Sequence, residues 1–426
     1  MDSRNNTLRG EESAAEAAFL DDEQSISANE DLAKYLEKTK SKDAADVPEK
    51  TDKKTRRKKA AKIRHDKSKR RLKIILICIF IVAVLGSLCF FILRPIITEQ
   101  LLEQSTLKQP ESDKIYYSTL TGLEVANQET VNAAATCVMI ENSPDARPQS
   151  GLAEAGVVYE AVAEGGITRF MAIFQEAKPQ LIGPVRSLRI AYAEMAKPYH
   201  CSLLHMGGAD NAIGLVRNNS EFRDLEGMWY ENKWVWRQNS PIAGKRRYAP
   251  HNVYTSFEKL DQLNFDKGYN TSNFSGFSRV SPDAPPAEVE QNATTVRIKM
   301  SSDLYNPIFT YNADSNTYTR AHTNGGPHLS IASSGQALNI TPKVVVAMKV
   351  NGYTRPGPDR YTDYTTVGEG EAYVFQNGSV TIGKWQRADA NAELKFVDNE
   401  GQTIKLNRGQ TWISLYPSGQ GSVSWD

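Results

Sequence analysis

The sequence predicts an α+β protein: a single N-terminal transmembrane helix, then a mixed α/β domain followed by a mostly β domain. Three observations predict it. Residues 74–93 read IILICIFIVAVLGSLCFFIL, without one charge. Residues 134–265 alternate strand-like with helix-like stretches, and residues 294–426 carry short strand-like runs separated by turn dipeptides. A length of 426 residues allows about two or three domains, and 40% apolar residues suffice to build cores. Four cysteines exclude a disulfide-dense mini-protein and a cysteine-rich zinc module.

The formal net charge of +1 averages over unlike segments. Residues 1–52 hold 7 Lys/Arg and 14 Asp/Glu with few aromatics, so a disordered acidic tail is expected there. Residues 53–73 hold 13 Lys/Arg and one Asp, a basic juxtamembrane segment. The uncharged run at 74–93, at about 1.5 Å per residue, spans about 30 Å, the thickness of a bilayer's hydrocarbon. It is continuous rather than periodic and is bracketed by Arg71, Lys73 and Arg94. It begins too far from the N-terminus for a cleaved leader, and no A-x-A site follows. Leu88 precedes Cys89 and Ile77 precedes Cys78, where lipidation needs a small residue. The reading is an uncleaved signal anchor in the plasma membrane, with the lipid bilayer as its partner. By the positive-inside rule the N-terminus is cytoplasmic and the C-terminal domains are extracytoplasmic. The basic run can neutralise phosphates, but its place beside the span favours an anionic leaflet, and nucleic acid is not the expected partner.

Residues 94–133 read as a stalk. In the α/β domain, 134–265, strands are predicted over 137–141, 157–164, 169–176 and 201–206, and helices over 185–197, 210–217 and 256–265. Pro184 suits the start of the first helix. Pro282 and Pro285-Pro286 mark 266–293 as a linker or long loop. In 294–426, strands are predicted over 295–300, 309–312, 317–321, 343–350, 372–376, 380–385, 394–397, 403–406 and 411–415. Asn324-Gly325, Asn377-Gly378 and Glu400-Gly401 supply turns, and Asn377-Gly378 between alternating residues is a hairpin signature. A small barrel or sandwich is expected.

Several ordered motifs coincide with a known family. They are Glu141-Asn142-Ser143-Pro144-Asp145-Ala146-Arg147-Pro148-Gln149-Ser150-Gly151-Leu152, Val158-Tyr159-Glu160, Glu164-Gly165-Gly166-Ile167-Thr168-Arg169-Phe170, Ile182-Gly183-Pro184-Val185-Arg186-Ser187 and Ala249-Pro250-His251-Asn252. Tyr318-Thr319-Arg320, Thr366-Val367-Gly368-Glu369-Gly370, Gly383-Lys384-Trp385 and Gly409-Gln410-Thr411-Trp412 follow. Over about 134–416 the chain resembles the YerB-like lipoproteins of Gram-positive bacteria, a two-domain family of unknown function. The resemblance implies an extracytoplasmic two-domain bacterial protein and no established activity. The membrane helix replaces an acylated cysteine, so lipidation does not carry over.

The chemistry-bearing residues permit several readings. Arg186 and Arg189 fall three apart in the first turn of the predicted helix, where its N–H groups and two guanidiniums can hold an anion; ion pairs with Glu160, Glu164 or Asp224 are the alternative. Glu160 and Glu164, four apart on a strand, are predicted on one face. With Arg169 across the Gly165-Gly166 turn they form a structural ion pair, or do acid/base work, or hold a cation. His205 ends a strand before Gly207-Gly208, and Asp210 follows; His251 stands beside Asn252. Glu164, His251 and His205 are the catalytic candidates, and Glu160, Glu164, Arg169, Arg186, Arg189, His205, Asp210, His251 and Asn252 the ligand-binding set. No HExxH, CxxC or EF-hand spacing occurs, so neither metal nor cofactor is expected. Cys137 and Cys201 are either buried thiols or a disulfide. Trp229, Tyr230, Trp234 and Trp236 precede Lys245-Arg246-Arg247-Tyr248, which reads as a patch for sugar rings and anionic polymers or as a loop covering the core.

Two functions are consistent with this: an envelope protein binding an anionic ligand or cell-wall polymer, and an envelope hydrolase with Glu164 or His251 as base. A scaffold whose acidic tail recruits cytoplasmic partners is a third. The sequence leaves open the ligand, whether there is turnover, the oligomeric state and the topology of the β domain.

Overall fold

The computed structural model describes residues 114–285, 292–323 and 326–426, and helical positions between 76 and 94. The chain forms two units, Met1–Pro110 and Glu111–Asp426. In the first, Leu76, Ile77, Phe80, Ile81, Val84, Leu88 and Phe90 are helical with exposed side chains. The rest of the predicted span, the tail 1–52 and the basic segment 53–73 lie outside the described residues. Among the described residues no helix is long and apolar enough to cross a membrane.

In the second unit the chain runs β1 (Thr136–Glu141), β2 (Val157–Glu164), β3 (Ile167–Phe174), α1 (Ile190–Ala196), β4 (Ser202–His205), α2 (Asp210–Arg217), β5 (Arg223–Glu226) and α3 (Phe257–Lys267). It continues through β6 (Thr295–Lys299), β7 (Pro307–Asn312), β8 (Thr317–His322), β9 (Val344–Val350), β10 (Gly368–Gln376), β11 (Ser379–Arg387), β12 (Lys395–Asp398), β13 (Thr411–Pro417) and β14 (Ser422–Trp425). Ten strands form one sheet, ordered β12-β11-β10-β9-β13-β2-β3-β1-β4-β5. The mixed α/β part and the largely β part are both present, and they meet in this sheet where β13 pairs in parallel with β2. A second, separately hydrogen-bonded sheet has the order β8-β7-β6-β14.

The central strands lack a polar face because both faces are covered. Met139, Tyr159, Met171, Ile173, Val346, Met348 and Ile413 pack on one side with Ala193 and Met195 of α1 and Ala212 of α2. Their neighbours along each strand, Val138, Val158, Phe170, Ala172, Val345 and Trp412, pack on the other. There they meet Leu260 and Leu263 of α3 and Val296, Phe309 and Tyr318 of the second sheet. Ser256 caps α3, its hydroxyl accepting from Lys259 N. Asn377 and Gly378, with φ of 57° and 71°, make the two-residue turn joining β10 to β11. Cys137 and Cys201 are joined by a disulfide with Cα atoms 5.8 Å apart, tying β1 to the start of its parallel neighbour β4.

Several expectations need correction. The β part is no closed barrel or free sandwich, since β9 to β13 belong to the shared sheet. Within the expected stalk, residues from 114 onward are folded: Tyr116–Tyr117 pairs with Glu124–Val125, and Leu120 is buried. The described part of the expected linker is a packed strap in which Phe274 and Phe277 are buried and Arg279 donates to the carbonyls of Leu120 and Asn407. The helix predicted over 185–197 begins only at Ile190. Residues 182–189 are extended because their backbone groups bond to neighbours: Val185 N donates to Val253 O at 2.7 Å and Arg186 N to Met139 O at 2.9 Å. Residues 403–406 form isolated bridges rather than a strand. The Asn324-Gly325 turn lies outside the described residues.

Candidate functional site

β1, β2, β4 and β5 point the same way, since each pairs in parallel with a neighbour or lies antiparallel to β3. Their carboxyl ends therefore share one edge, the place where α/β sheets gather ligands. Four of the strands end there on ionisable residues: Glu141, Glu164, His205 and Glu226. Two chain segments cross this edge. Strap 182–189 runs from β1 to β4, with Arg186 O accepting from Met206 N at 3.1 Å. A hairpin of the C-terminal part, Gly352–Thr354 paired with Thr362–Tyr364, brings Tyr361 against Glu164 and Arg360 O to Gly165 N.

The first cluster centres on Glu164. Its Oε1 accepts from Arg169 at 2.7 Å and its Oε2 from Arg189. Arg169 is buried and also donates to Ser187 O at 2.8 Å. The Arg189 guanidinium lies 4.5 Å from the Tyr361 ring centre, and that of Arg355 lies 5.0 Å from the same ring. Burial pushes the Glu164 carboxyl up, but the two guanidiniums more than reverse this and hold it below its ordinary value. Burial, then the nearby Arg169, lower Arg189 to about 10. Glu164 is thus a counter-ion with both oxygens engaged, poorly placed to accept a further proton.

The second cluster surrounds Glu141, which is 2% exposed. Its Oε1 accepts from Ser143 at 2.9 Å, lies 2.9 Å from His251 Nδ1 and 3.4 Å from Arg186 Nε, while its Oε2 is buried without a partner. His251 and Arg186 are each about a quarter exposed. Ser143 is 3.4 Å from the same Nδ1 that meets the carboxylate. A Ser-His-acid triad needs the hydroxyl on the other ring nitrogen, so these three do not form one.

The third cluster holds His205, buried, with Nδ1 2.9 Å from Gly207 O and Nε2 2.8 Å from Asp224 Oδ1. Glu226 accepts from Gly207 N at 2.8 Å, and Arg217 Nη2 approaches it at 3.4 Å while lying 4.9 Å from the Trp229 ring centre. Both ring nitrogens of His205 face acceptors, which makes it a structural tie between β4 and β5.

The predicted residues thus divide. Glu164, Arg169, Arg186, Arg189, His205 and His251 share the edge. Asn252 is just behind it, accepting from Arg237 at 3.2 Å. Asp210 is exposed at the start of α2, apart from the three clusters. Glu160 leaves the set: it is fully buried on the opposite face, 2.7 Å from Arg320 and accepting from Trp412 Nε1 at 2.9 Å. Arg320 also meets His328, whose Nε2 is 2.7 Å from Gln149 Oε1. Burial pushes His328 well below the usual imidazole range and, with Arg320 and Arg147 nearby, takes His322 to about 2. Sequence reasoning missed Glu141, Ser143, Arg355 and Tyr361 as edge residues. Glu141 and Ser143 stood in a quoted motif; Arg355 and Tyr361 are nearly 200 residues away from Glu164, and no local pattern announces them.

The aromatic and basic segment also divides. Trp234 and Trp236 pack on the core, and Arg247 is buried against the carbonyls of Ala146 and Pro148. Trp229 and Tyr248 are exposed. Among the described residues no three His, Cys, Asp or Glu side chains group as a metal site. A larger cleft of about 770 Å³ lies at the far end of the sheet between residues 275–278 and 392–406. Its charged lining is only Glu393 and Lys395, so size and chemistry point to different places; the convergence of ionisable groups favours the carboxyl edge.

Known proteins resemble this chain over both of its parts. Models of a family of proteins of unknown function (DUF3048) match its N-terminal domain at residues 120–270 and its C-terminal domain at 296–413. The putative lipoprotein YerB of Bacillus subtilis (strain 168) is 28% identical over 309 residues, 72% of this chain and 88% of that protein. The crystal structure of YerB protein from Bacillus subtilis has the same fold, with a TM-score of 0.61 at 24% identity, covering 72% of this chain and 99% of that one.

Proposed function

The chain belongs to the DUF3048 family, and from that premise we propose that it is a membrane-anchored extracytoplasmic protein of a bacterial cell envelope whose carboxyl edge binds an anionic ligand or cell-wall polymer. The similar YerB is named a putative lipoprotein. Here residues 74–93 supply the anchor instead. The uncharged run, the thirteen cations before it and the exposed apolar side chains at its described helical positions support that reading. The Cys137–Cys201 disulfide suits an oxidising compartment. Protease added to intact cells is expected to digest residues 114–426 and spare the acidic tail; the reverse pattern overturns the topology.

One observation carries the ligand class: guanidinium groups at the edge keep donors to spare beside their carboxylate partners. Arg169, Arg186, Arg189 and Arg355 each have a buried Nε without a hydrogen-bond acceptor. Arg186 is the most exposed cation in direct contact with Glu164 or Glu141, its contact with Glu141 reaching only 3.4 Å. Guanidiniums in that state suit phosphate or carboxylate oxygens. Titration of the full-length protein with a phosphorylated glycan tests it. Binding weakened in Arg186→Ala supports the reading; no binding, or binding unchanged by that substitution, rejects it.

A second reading rests on His251. Glu141 holds its Nδ1 at 2.9 Å while the side chain stays a quarter exposed, an arrangement that suits an imidazole base. An envelope hydrolase would then use His251 to activate water. Turnover of an ester, glycan or peptide that vanishes in a folded His251→Ala variant would establish it.

A further inference from the structure

We propose that Trp229, with Met228, is a sugar-stacking platform beside the anion site, so that the ligand is a glycan carrying phosphate or carboxylate groups rather than a free anion. The inference rests on the anion-binding reading and names its ligand class.

Three observations carry it. First, the two side chains are large, apolar and exposed: Trp229 at 59% and Met228 at 56%. They occupy the turn Gly227–Tyr230 that follows β5, so they stand at the carboxyl edge itself. Second, Trp229 is held in place rather than left loose. The Arg217 guanidinium sits 4.9 Å from its ring centre and is anchored in turn by Glu226 at 3.4 Å and Asp224 at 3.8 Å. Tyr230 meets the indole edge-on at 6.5 Å. A cation near an indole leaves much of the ring's surface in solvent here, and an exposed indole face suits the C–H face of a sugar ring.

Third, the platform and the strap that carries Arg186 adjoin the same strand, β4. Arg186 O accepts from Met206 N, which places the strap at the end of β4, and β4 pairs with β5 through His205 and Glu226. The strap lies one strand spacing from β4 and β5 lies one further, so about 10 Å separates the two backbones, the reach of a glycan repeat rather than of a single anion. Met228 closes the gap, its Cε lying 3.8 Å from where a Cβ on Gly207 would stand. A sugar on Trp229 can therefore present a charged substituent to Arg186. A protein or nucleic-acid partner would be expected to use a broader apolar or basic face; here one indole, one thioether and one guanidinium stand on the same sheet edge.

The test uses the full-length chain in detergent with three probes: inorganic phosphate, an uncharged oligosaccharide and a phosphorylated glycan, with binding read by titration and by tryptophan fluorescence. Trp229→Ala is expected to weaken the phosphorylated glycan about tenfold and to leave phosphate unchanged, while Trp229→Phe recovers most of the loss. Glycan affinity unchanged in Trp229→Ala, or phosphate binding as tight as the glycan in the wild type, overturns the platform. Loss of both phosphate and glycan binding in Arg186→Ala, with Trp229→Ala neutral, would leave the anion site standing and remove only this inference. Failure of Arg186→Ala to weaken either probe would instead remove the reading beneath it.

Discussion

Glu160 and Glu164 sit four residues apart on β2, yet one is in the core and the other at the rim. Strict alternation puts them on the same face. The pairing of β2 with β3 shifts register between Val162 and Glu164. That irregularity carries Glu164 to the face of Arg169, Met171 and Ile173, while Glu160 stays on the face of Phe170 and Trp412. The difference teaches how one strand serves two ends. Glu160 joins the two halves of the chain through Arg320, 160 residues onward. Glu164 arranges guanidiniums at the edge. A bulge beside a functional edge, re-aiming one side chain, is a recurring use of such irregularities.

The sharpest way to break the comparison is to remove each carboxylate in turn. Glu160→Gln leaves the fully buried Arg320 uncompensated, and removing one partner of a buried pair costs about 3–5 kcal/mol. Urea unfolding of the full-length protein is expected to show that loss. A cost below about 1 kcal/mol would mean that Arg320 relaxes to water and that the core pair is no tie between the halves.

Acid should attack the same core next. His322 and His328 are held neutral by burial and by Arg320. Their folded values lie below the ordinary 6.5 of the unfolded chain, so the unfolded state takes up more protons as pH falls. Their contribution is complete above about pH 6.5 and diminishes below it, by about 2 kcal/mol for each ring between pH 6.5 and 5. His322, whose two nitrogens are buried without partners, can be replaced without losing a hydrogen bond. Stability measured against pH is expected to be flatter in His322→Leu; an equally steep acid limb would exclude this ring as the cause.

These two sites also show what the sequence made legible. The α/β part, α2, α3 and the Asn377-Gly378 hairpin were readable because local pattern decides them: period, cap and turn chemistry act over a few residues. The carboxyl edge was readable in part, because Glu164 and Arg169 flank a tight turn. The join between β13 and β2 was not, since pairing between residues about 250 apart leaves no local trace. Nor was the extended strap 182–189, whose composition suits a helix but whose backbone bonds are claimed by β1 and by Val253. Tertiary pairing overrode propensity there.

At the rim, Glu164→Gln should cost less than the core substitution. Its side chain is 21% exposed, and the amide still accepts from one guanidinium. Losing a charge-assisted bond there is worth about 1–2 kcal/mol. Its sign with pH also differs in position: the carboxyl is held below its ordinary value, so its stabilising contribution is complete above the unfolded value near 4.3 and disappears only as pH falls through the lower folded one. The histidine limb and the Glu164 limb should therefore separate in a pH scan, with His322→Leu flattening the upper and Glu164→Gln the lower.

Arg186→Ala is the smallest expected change in stability and completes the contrast. Its guanidinium is a quarter exposed and meets Glu141 only at 3.4 Å, so unfolding free energy should change by no more than about 0.5 kcal/mol. Ligand binding should nonetheless fall, because this is the cation at the edge with least to hold it. A residue that supports binding while contributing almost nothing to stability is what separates a site from a structural ion pair. If Arg186→Ala destabilises the protein as much as Glu164→Gln does and leaves binding untouched, the rim is an extension of the core, and the edge is only a seam between strands.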